Sequence, residues 1–570
     1  MHDYFSRFFK CTLVALAFSL QLSASQYRGV DHTPKRLANH IPTNAVTEAT
    51  FLKKLDGSIH IPITFTLPLR NQKELEELLD HLYNPNHEDF GKYLTSEEFA
   101  ERFSPTEEDY NTVIAYANGL GLKITGTHSN RLLLHVSGPT DTIEAAFDLQ
   151  LHQYQKHDGR VFYAPDRDPE VPTYVTSLID GIVGLDNHAI WRSFNRQKEI
   201  TEKILIADTT PNAHPSGPAG GYAPTDILLA YNLNEVSAKG TGQAIALFEL
   251  GGYQVSDINT YTKQFGLPNA QLKNIVVDSG PSGGINPEVT LDIELALAIA
   301  PESQILVYEG PNSGQGVLHT YNRIATDNLA KQVSTSWGLG ENLSSPQFLQ
   351  AESAIFQQMA AHGQTIFAAA GDSGAFDNFP TSQDLVVDDP ASQPKVVGVG
   401  GTKLTVNPAT GAYVAEQVWN NGLGRGAGGG GVSTVWPLPN WQKNVRGLAS
   451  TTHRNVPDVA LNSDTNSGYS IFHGGKWVVF GGTSCAAPLW AAFVARVNQQ
   501  LVANQKPVLG FPNNKFYKIG KGATYTNNFH DVATGDNLHY QAHKGYDNAS
   551  GWGSFNGAEL FNTLTGAAAK

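Results

Sequence analysis

The stretch PEVTLDIELALAIAP, Pro287 to Pro301, decides how this chain is built. Its residues Val289, Leu291, Ile293, Leu295, Leu297 and Ile299 alternate with period two, as in a strand. The run is nevertheless long, rich in Leu and Ala, and bounded by prolines, so length favours a buried helix. On a helix, Glu288 and Asp292 are i,i+4 neighbours about 6 Å apart at Cβ. On a strand they share a face but lie about 13 Å apart, beyond hydrogen bonding. Two carboxyls side by side on an apolar helix cannot both ionise cheaply, so one pKa rises and the pair shares a proton. Two surface acids stabilised by the dipole at a helix N-terminus are the plainer reading of the same residues.

Working outward, strand signals at Asn274–Asp278 and Gln304–Tyr308 flank this helix. Others fall at Gln243–Leu250, Gln332–Trp337, Thr365–Ala370 and Lys395–Val399. Helices are expected at Gln347–His362 and from Ser484 to about Val502. The alternation predicts an α/β fold with a mostly parallel sheet flanked by helices, whose site lies beyond the carboxyl ends of the strands.

Four more stretches carry chemistry. In GGTSCAAP, Gly481 to Pro488, a glycine pair permits a tight turn and Ser484 opens an apolar helix. Its hydroxyl is either exposed beside helix-end amides aimed at a bound carbonyl or an ordinary N-cap. In IFAAAGDSGAF, Ile366 to Phe376, Asp372 follows an apolar strand, placed for function or capping a turn. GRGAGGGGVSTVWPLPNWQ, Gly424 to Gln442, contains four consecutive glycines, including Gly430 and Gly431. They allow close approach of a ligand backbone, or form a flexible surface loop. FHDVATGDN and HKGYDNASGWG, around Asp531 and Asp547, have a composition suited to a hard cation, or to Asx-turns.

The 570 residues carry 53 acidic and 39 basic side chains, a formal net charge of −14, with a pI near 5.7. An acidic surface repels phosphate, which argues against a nucleic-acid partner. Residues 1–25 read as a secretory signal: Arg7 and Lys10 precede the apolar run Cys11 to Leu22 and the small residues Ser23-Ala24-Ser25. That run is too short to span a bilayer, and no membrane segment is expected. Removal of the signal leaves Cys485 as the single cysteine, excluding a disulfide within the mature chain. An α+β region is expected over 26–208, with strands at His60–Leu67 and Arg131–Val136 and helices at Asn71–Leu82, Ser96–Phe103 and Asp109–Gly119. Residues 71–110 hold twelve Asp or Glu against three Lys or Arg. A linker, TTPNAHPSGPAGGYAPT, spans 209–225, with a processing site nearby, and the α/β region follows over 226–570.

In order along the chain, Glu288-x-x-x-Asp292, SWG at Ser336–Gly338, AAAGDSG around Asp372, GGGVS, and GGTSxxAP around Ser484 resemble the sedolisin family. These are serine-carboxyl peptidases with a subtilisin-like fold, and the pattern is similar to the kumamolisin type. GKYLTSEEFAERFSPT, the stretch around Ala145-Ala146-Phe147, and LIDGIVGLDNH at Leu178–His188 resemble the family's activation domain. The resemblance implies Ser484 as nucleophile, Glu288 as general base, Asp292 as its carboxyl partner and Asp372 as the oxyanion-site acid. It implies Glu249 and Trp337 as a supporting network, and substrate contact at Asp388. It also implies one calcium ion, held by the Asp531 and Asp547 side chains and the Val532, His543 and Gly545 carbonyls. The expected partners are protein or peptide substrates and the chain's own prodomain, docked over the cleft as an intramolecular inhibitor; the expected state is a secreted monomer. Cys485 stands where an Ala is common and reads as a small buried neighbour.

A carboxylate base with a reference pKa near 4 works best in acid. Asp372 works the opposite way, since it must stay protonated to donate to a tetrahedral oxyanion. An acidic bell-shaped profile with an acyl-enzyme intermediate is expected, and protonation of the acidic N-terminal region is expected to loosen its docking. Two other readings use the same chain: a Ser-His-Asp peptidase with His362 as base, and a catalytically dead binding protein on the same scaffold.

Overall fold

The computed structural model describes residues 31–198 and 214–567. The signal-like segment 1–25 and the first part of the 209–225 stretch lie outside the described residues.

In the N-terminal region, β1 (His60–Thr66), β2 (Lys123–Thr127), β3 (Leu133–Pro139) and β4 (Gly181–Val183) form an antiparallel sheet in the order β2-β3-β1-β4. Three helices accompany it: α1 (Gln72–Leu82), α2 (Ser96–Arg102) and α3 (Glu107–Gly119). Helix α2 starts where the sequence indicates, because Thr95 and Glu98 form a reciprocal capping box. Two short strands, β5 (Arg192–Ser193) and β6 (Arg196–Gln197), then leave this region and pair with the C-terminal one.

The C-terminal region is built on β7 (Ala244–Glu249), β8 (Gln271–Val276), β9 (Gln304–Glu309), β10 (Gln332–Thr335), β11 (Trp337–Gly340), β12 (Thr365–Ala369), β13 (Asp388–Asp389), β14 (Val397–Val406), β15 (Tyr413–Val418), β16 (Val459–Asn462) and β17 (Lys476–Gly481). Its helices include α4 (Pro287–Ile299), α5 (Gly314–Asp327), α6 (Pro346–Ala361) and α7 (Thr483–Ala503). The main sheet runs β8-β9-β7-β10-β12-β14-β15, with β16 also pairing β14. Every pairing is parallel except β14 with β15.

Pro287 to Ile299 is a helix, as its length indicates. The Asn286 side chain accepts from the Glu288 N–H at 3.0 Å, and Pro287 occupies the first turn. Every residue from Glu288 to Ile299 is buried, which explains the missing 3.6-residue period: no face of this helix meets solvent. It packs along α7 and beside β7. Burying its six Val, Ile and Leu side chains contributes about 1.5–3 kcal/mol each, which offsets the cost of burying carboxyls on the same helix.

The N-terminal region rests on α5 and α6. Tyr83 Oη donates to the Ala360 carbonyl at 2.6 Å, Leu94 N–H to Ala361 at 2.9 Å, and Asn130 Nδ2 to Asn322 Oδ1 and Gln358 Oε1 at 2.6 and 2.7 Å. The ion pairs of residues 71–110 instead stay inside the region: Glu74 with Arg102, Glu77 with Lys73, and Asp89 with Lys92 and His87. Glu76 and Asp80 face Lys395 of the C-terminal region at longer range, and among the described residues no ion pair of this acidic stretch crosses the docking face.

Candidate active site

The carboxyl ends of the strands converge on one cleft. Strand β7 ends in Glu249, β10 runs into Ser336 and Trp337, and β12 runs through Gly371 into Asp372. Helix α4 supplies Glu288 and, one turn on, Asp292; β17 turns through Gly482 into α7 and presents Ser484. Ser484 Oγ donates to Glu288 Oε2 at 2.9 Å. Ser336 Oγ donates to Asp292 Oδ1 at 2.9 Å, and Trp337 Nε1 to Glu249 Oε2 at 2.9 Å. Glu249 Oε1, Glu288 Oε1 and Asp292 Oδ2 are buried without an N–H or O–H donor from elsewhere. Three carboxyls in mutual contact satisfy those oxygens only by sharing protons. Burial raises all three above the ordinary carboxyl range, and for Asp292 the neighbouring charges of Glu249 and Glu288 add to it.

Asp372 is set up differently. Its Oδ1 accepts from the Thr483 N–H at 2.8 Å and from Thr483 Oγ1 at 3.0 Å, while Oδ2 has no hydrogen-bond partner. Burial pushes its pKa up to about 6, against the pull of Arg196, Thr483 and Arg192. With Oδ1 already accepting twice, Oδ2 is the oxygen left to carry a proton when this carboxyl is neutral.

The cleft is filled by the chain itself. Strand β5 pairs antiparallel with β11, Arg192 opposite Gly338 and Ser193 opposite Trp337, and β6 pairs with β17. Between them the Phe194 N–H donates to the Ser336 carbonyl at 3.1 Å, and the Phe194 carbonyl accepts from the Ser484 N–H at 3.1 Å. Gly482 makes this possible. It sits at φ +110, and a Cβ there would lie 2.1 Å from the Phe194 oxygen and 2.8 Å from Asp372 Oδ2. The Phe194–Asn195 peptide bond is thus held with its oxygen between the Ser484 amide and Asp372. Asn195 Nδ2 donates at 2.7 Å to Glu288 Oε2, the same oxygen that accepts from Ser484. Arg192 pairs with buried Asp377 at 2.8 Å, and Arg196 Nε lies 3.5 Å from Asp372 Oδ2.

Asp388 is buried on β13, and a Cβ on Gly338 would lie 2.3 Å from its Oδ1. Its carboxyl therefore underlies the position of Arg192, with burial and Asp377 raising its pKa. The glycine run makes its close approach to the fold's own backbone. A Cβ on Gly429 would lie 1.7 Å from the Ala370 carbonyl oxygen, and one on Gly430 2.4 Å from that of Asn548. The Gly430 and Gly431 carbonyls accept from Asn537 and Asn548, so this run braces the Asp372 corner. His362 ends α6 bonded to the Leu94 carbonyl and Gln358, with no bond to Ser484. Cys485 is buried, which raises its thiol pKa and keeps it from being a nucleophile. A cavity of about 1000 Å³ lies between α1 and α6, away from Ser484.

Asp531, Val532, His543, Gly545 and Asp547 gather in one hydrogen-bonded knot. Gly545 N–H donates to Asp531 Oδ1 at 3.1 Å, and His543 N–H to Asp547 Oδ2 at 3.0 Å. Ser550 Oγ reaches both the Val532 carbonyl and Asp547 Oδ1, at 3.3 and 3.1 Å. Asp547 is buried and raised to about 6, and the groups bonded to it are N–H and O–H donors rather than a basic side chain. Two carboxylates and backbone carbonyls without a basic partner fit a hard cation.

Ser336, Thr483, Asp377, Phe194 and Asn195 join the site without having been expected there. Ser336 and Thr483 lie inside the SWG and GGTS motifs and are legible in them. The other three carry no local signal and acquire a place only through tertiary contact.

Fold and cleft together define a subtilisin-like serine-type peptidase with its activation domain still attached. Residues 47–188 match the Pro-kumamolisin activation domain and residues 280–518 the Subtilase family. The chain is 35% identical to kumamolisin of Bacillus sp. (strain MN-32) over 500 residues, covering 84% of this chain and 87% of that one. It is 30% identical to sedolisin of Pseudomonas sp. (strain 101), covering 87% and 86%. The solved Pseudomonas sedolisin, a serine-carboxyl proteinase complexed with two molecules of pseudo-iodotyrostatin, superposes with a TM-score of 0.55 at 29% identity, over 61% of this chain and 98% of that one. The chain belongs to the sedolisin family of serine-carboxyl peptidases.

Proposed function

We propose that this chain is the zymogen of a secreted, acid-acting endopeptidase in which Ser484 is the nucleophile and Glu288 its base. The observation that carries the reading is the Ser484 Oγ–Glu288 Oε2 bond at 2.9 Å, with the carbonyl of an internal peptide bond on the Ser484 amide. Ser484 Oγ attacks the carbonyl carbon as its proton passes to Glu288. Asp292 and Glu249 share the cluster's protons and set the basicity of Glu288. Protonated Asp372 and the Ser484 N–H stabilise the oxyanion. Collapse releases the amine with the proton from Glu288 and leaves an acyl group on Ser484, which water then removes. Because the chain continues on both sides of Phe194–Asn195, the cleft accepts the middle of a polypeptide, which supports endopeptidase action. Asp388 and Asp377 under Arg192 support a subsite that takes a basic side chain.

Incubating the full chain in acid is expected to cut it at Phe194–Asn195, giving a product that starts at Asn195 by mass spectrometry. Persistence of that bond while cleavage occurs elsewhere counts against the register.

A single calcium ion is proposed on Asp531, Asp547 and the carbonyls of Val532, His543 and Gly545. Bound there, it supplies positive charge to two carboxylates and ties the C-terminal loops together. An ion at 1,000 times its Kd contributes about 4 kcal/mol. A chelator is therefore expected to lower Tm by roughly 5–10 °C, with no such response in Asp547→Asn. An unchanged Tm speaks against the site. Secretion is proposed from Arg7, Lys10 and the apolar run Cys11 to Leu22. Among the described residues no helix is long and apolar enough to cross a membrane.

A further inference from the structure

Where the N-terminal region docks, three histidines from both regions meet. His128, in the turn between β2 and β3, approaches His135 of β3 with their Nε2 atoms 2.8 Å apart. The His135 ring stacks on that of His319 from α5, centroids 3.2 Å apart and planes 9° from parallel. His319 Nδ1 lies 2.6 Å from Asp278 Oδ2, and its Nε2 3.0 Å from Thr64 Oγ1 of β1. His135 and His319 are only 7% and 6% exposed. The remaining groups facing the cluster are Tyr110 of α3, whose hydroxyl accepts from the His128 N–H, and Arg323 of α5, whose charge bears on His128.

This packing limits how many of the rings can be charged. Two ring nitrogens at 2.8 Å share one hydrogen, so at least one imidazole is neutral. The stacked pair crosses the interface with Asp278 as its one facing carboxylate, and Asp278 already pairs with His319. A shared metal ion does not suit the geometry, because near-parallel stacked rings do not aim their nitrogens at one point. Both His319 nitrogens are also engaged.

We propose that the His128–His135–His319 cluster is the proton-uptake site that releases the N-terminal region from the peptidase domain in acid. This rests on the zymogen reading above and gives it a trigger built from rings in direct contact across the interface, whereas the ion pairs of residues 71–110 stay within their own region. Burial and the neighbouring imidazoles hold His128 down to about 4, and His135 lower still. Undocking removes His319 from its neighbours and opens the His128 and His135 rings to water, so the pKa values of these two return toward the ordinary 6.5. The released state therefore binds more protons wherever the two values differ. Docking is fully favoured above about 6.5 and loses ground as pH falls through 6.5 toward 4. At pH 5, a histidine with values of about 4 docked and 6.5 released shifts the equilibrium about 30-fold toward release.

The test uses the full chain as Ser484→Ala, so that docking is read without cleavage and independently of the catalytic reading. Hydrogen exchange at residues 128–136 and 315–324, corrected for intrinsic rates, is followed as pH is lowered. Protection is expected to collapse in acid, with a midpoint about one pH unit lower in the His128→Gln, His135→Gln double variant. An identical midpoint in that variant overturns the proposal. So does a midpoint moved by a chelator selective for transition metals over calcium, which would assign the cluster to an ion. Should the double variant fail to fold, histidine-labelled NMR of the Ser484→Ala chain decides. His128 and His135 rings that stay neutral below pH 6.5 until protection is lost support the switch; these two rings titrating near 6.5 with protection intact refute it.

Discussion

Glu288→Gln is expected to slow self-processing of the full chain about 10³–10⁴-fold, the upper range for losing a general base. Gln keeps the size of the side chain, and its amide oxygen can still accept from Ser484. It cannot take the proton, and it cuts the sharing with Asp292 that keeps Glu288 basic. The substitution should fold well, because burial already raises the Glu288 pKa and a neutral amide suits that environment. Conversion in acid, followed by intact mass, is the measurement. A rate within tenfold of the unaltered chain would remove Glu288 from the mechanism and revive the search for another base. His362, bonded to Leu94 and Gln358, is not placed to be that base.

The second large effect is at Asp372. Asp372→Ala removes a donor to the oxyanion and is expected to cost about 10²–10³-fold in kcat. Asp372→Asn should cost less and change the shape of the pH profile. The buried carboxyl, raised to about 6, is protonated below that value and donates from Oδ2. As pH rises through it, the proton leaves and a carboxylate faces the developing oxyanion, so activity falls. The Asn amide donates at every pH, so that decline should disappear while the acid limb remains. An alkaline limb unchanged in Asp372→Asn would assign it to another group.

The docking of the N-terminal region shows why charge counts in a sequence do not yield a switch. Twelve acids against three bases over residues 71–110 point to carboxylates as the pH-sensitive contacts. In the fold their ion pairs stay within their own region, Glu76 and Asp80 reach Lys395 only at longer range, and the hydrogen bonds to α5 and α6 include those of Tyr83, Leu94 and Asn130. The two histidines stacked across the interface, His135 and His319, are 184 positions apart and carry no shared motif.

Local sequence determined what depends on near neighbours. Prolines at 287 and 301, an Asn N-cap and an unbroken apolar run make α4, and helical geometry alone puts Glu288 and Asp292 on adjacent turns. Glycines at 481 and 482 turn β17 into α7 and leave room at Ser484 for a peptide carbonyl. The alternation of strands and helices likewise brings Glu249, Trp337 and Asp372 to one end of a parallel sheet. Tertiary structure alone decided which peptide bond lies on Ser484, which oxygen of Asp372 is free to carry a proton, and which histidines meet across the interface. Backbone preferences act over a turn or a strand. The cleft and the docking face are closed by contacts spanning 93 residues from Asn195 to Glu288 and 196 from Glu288 to Ser484, whose partners are chosen by shape and burial and leave no periodic trace in the chain.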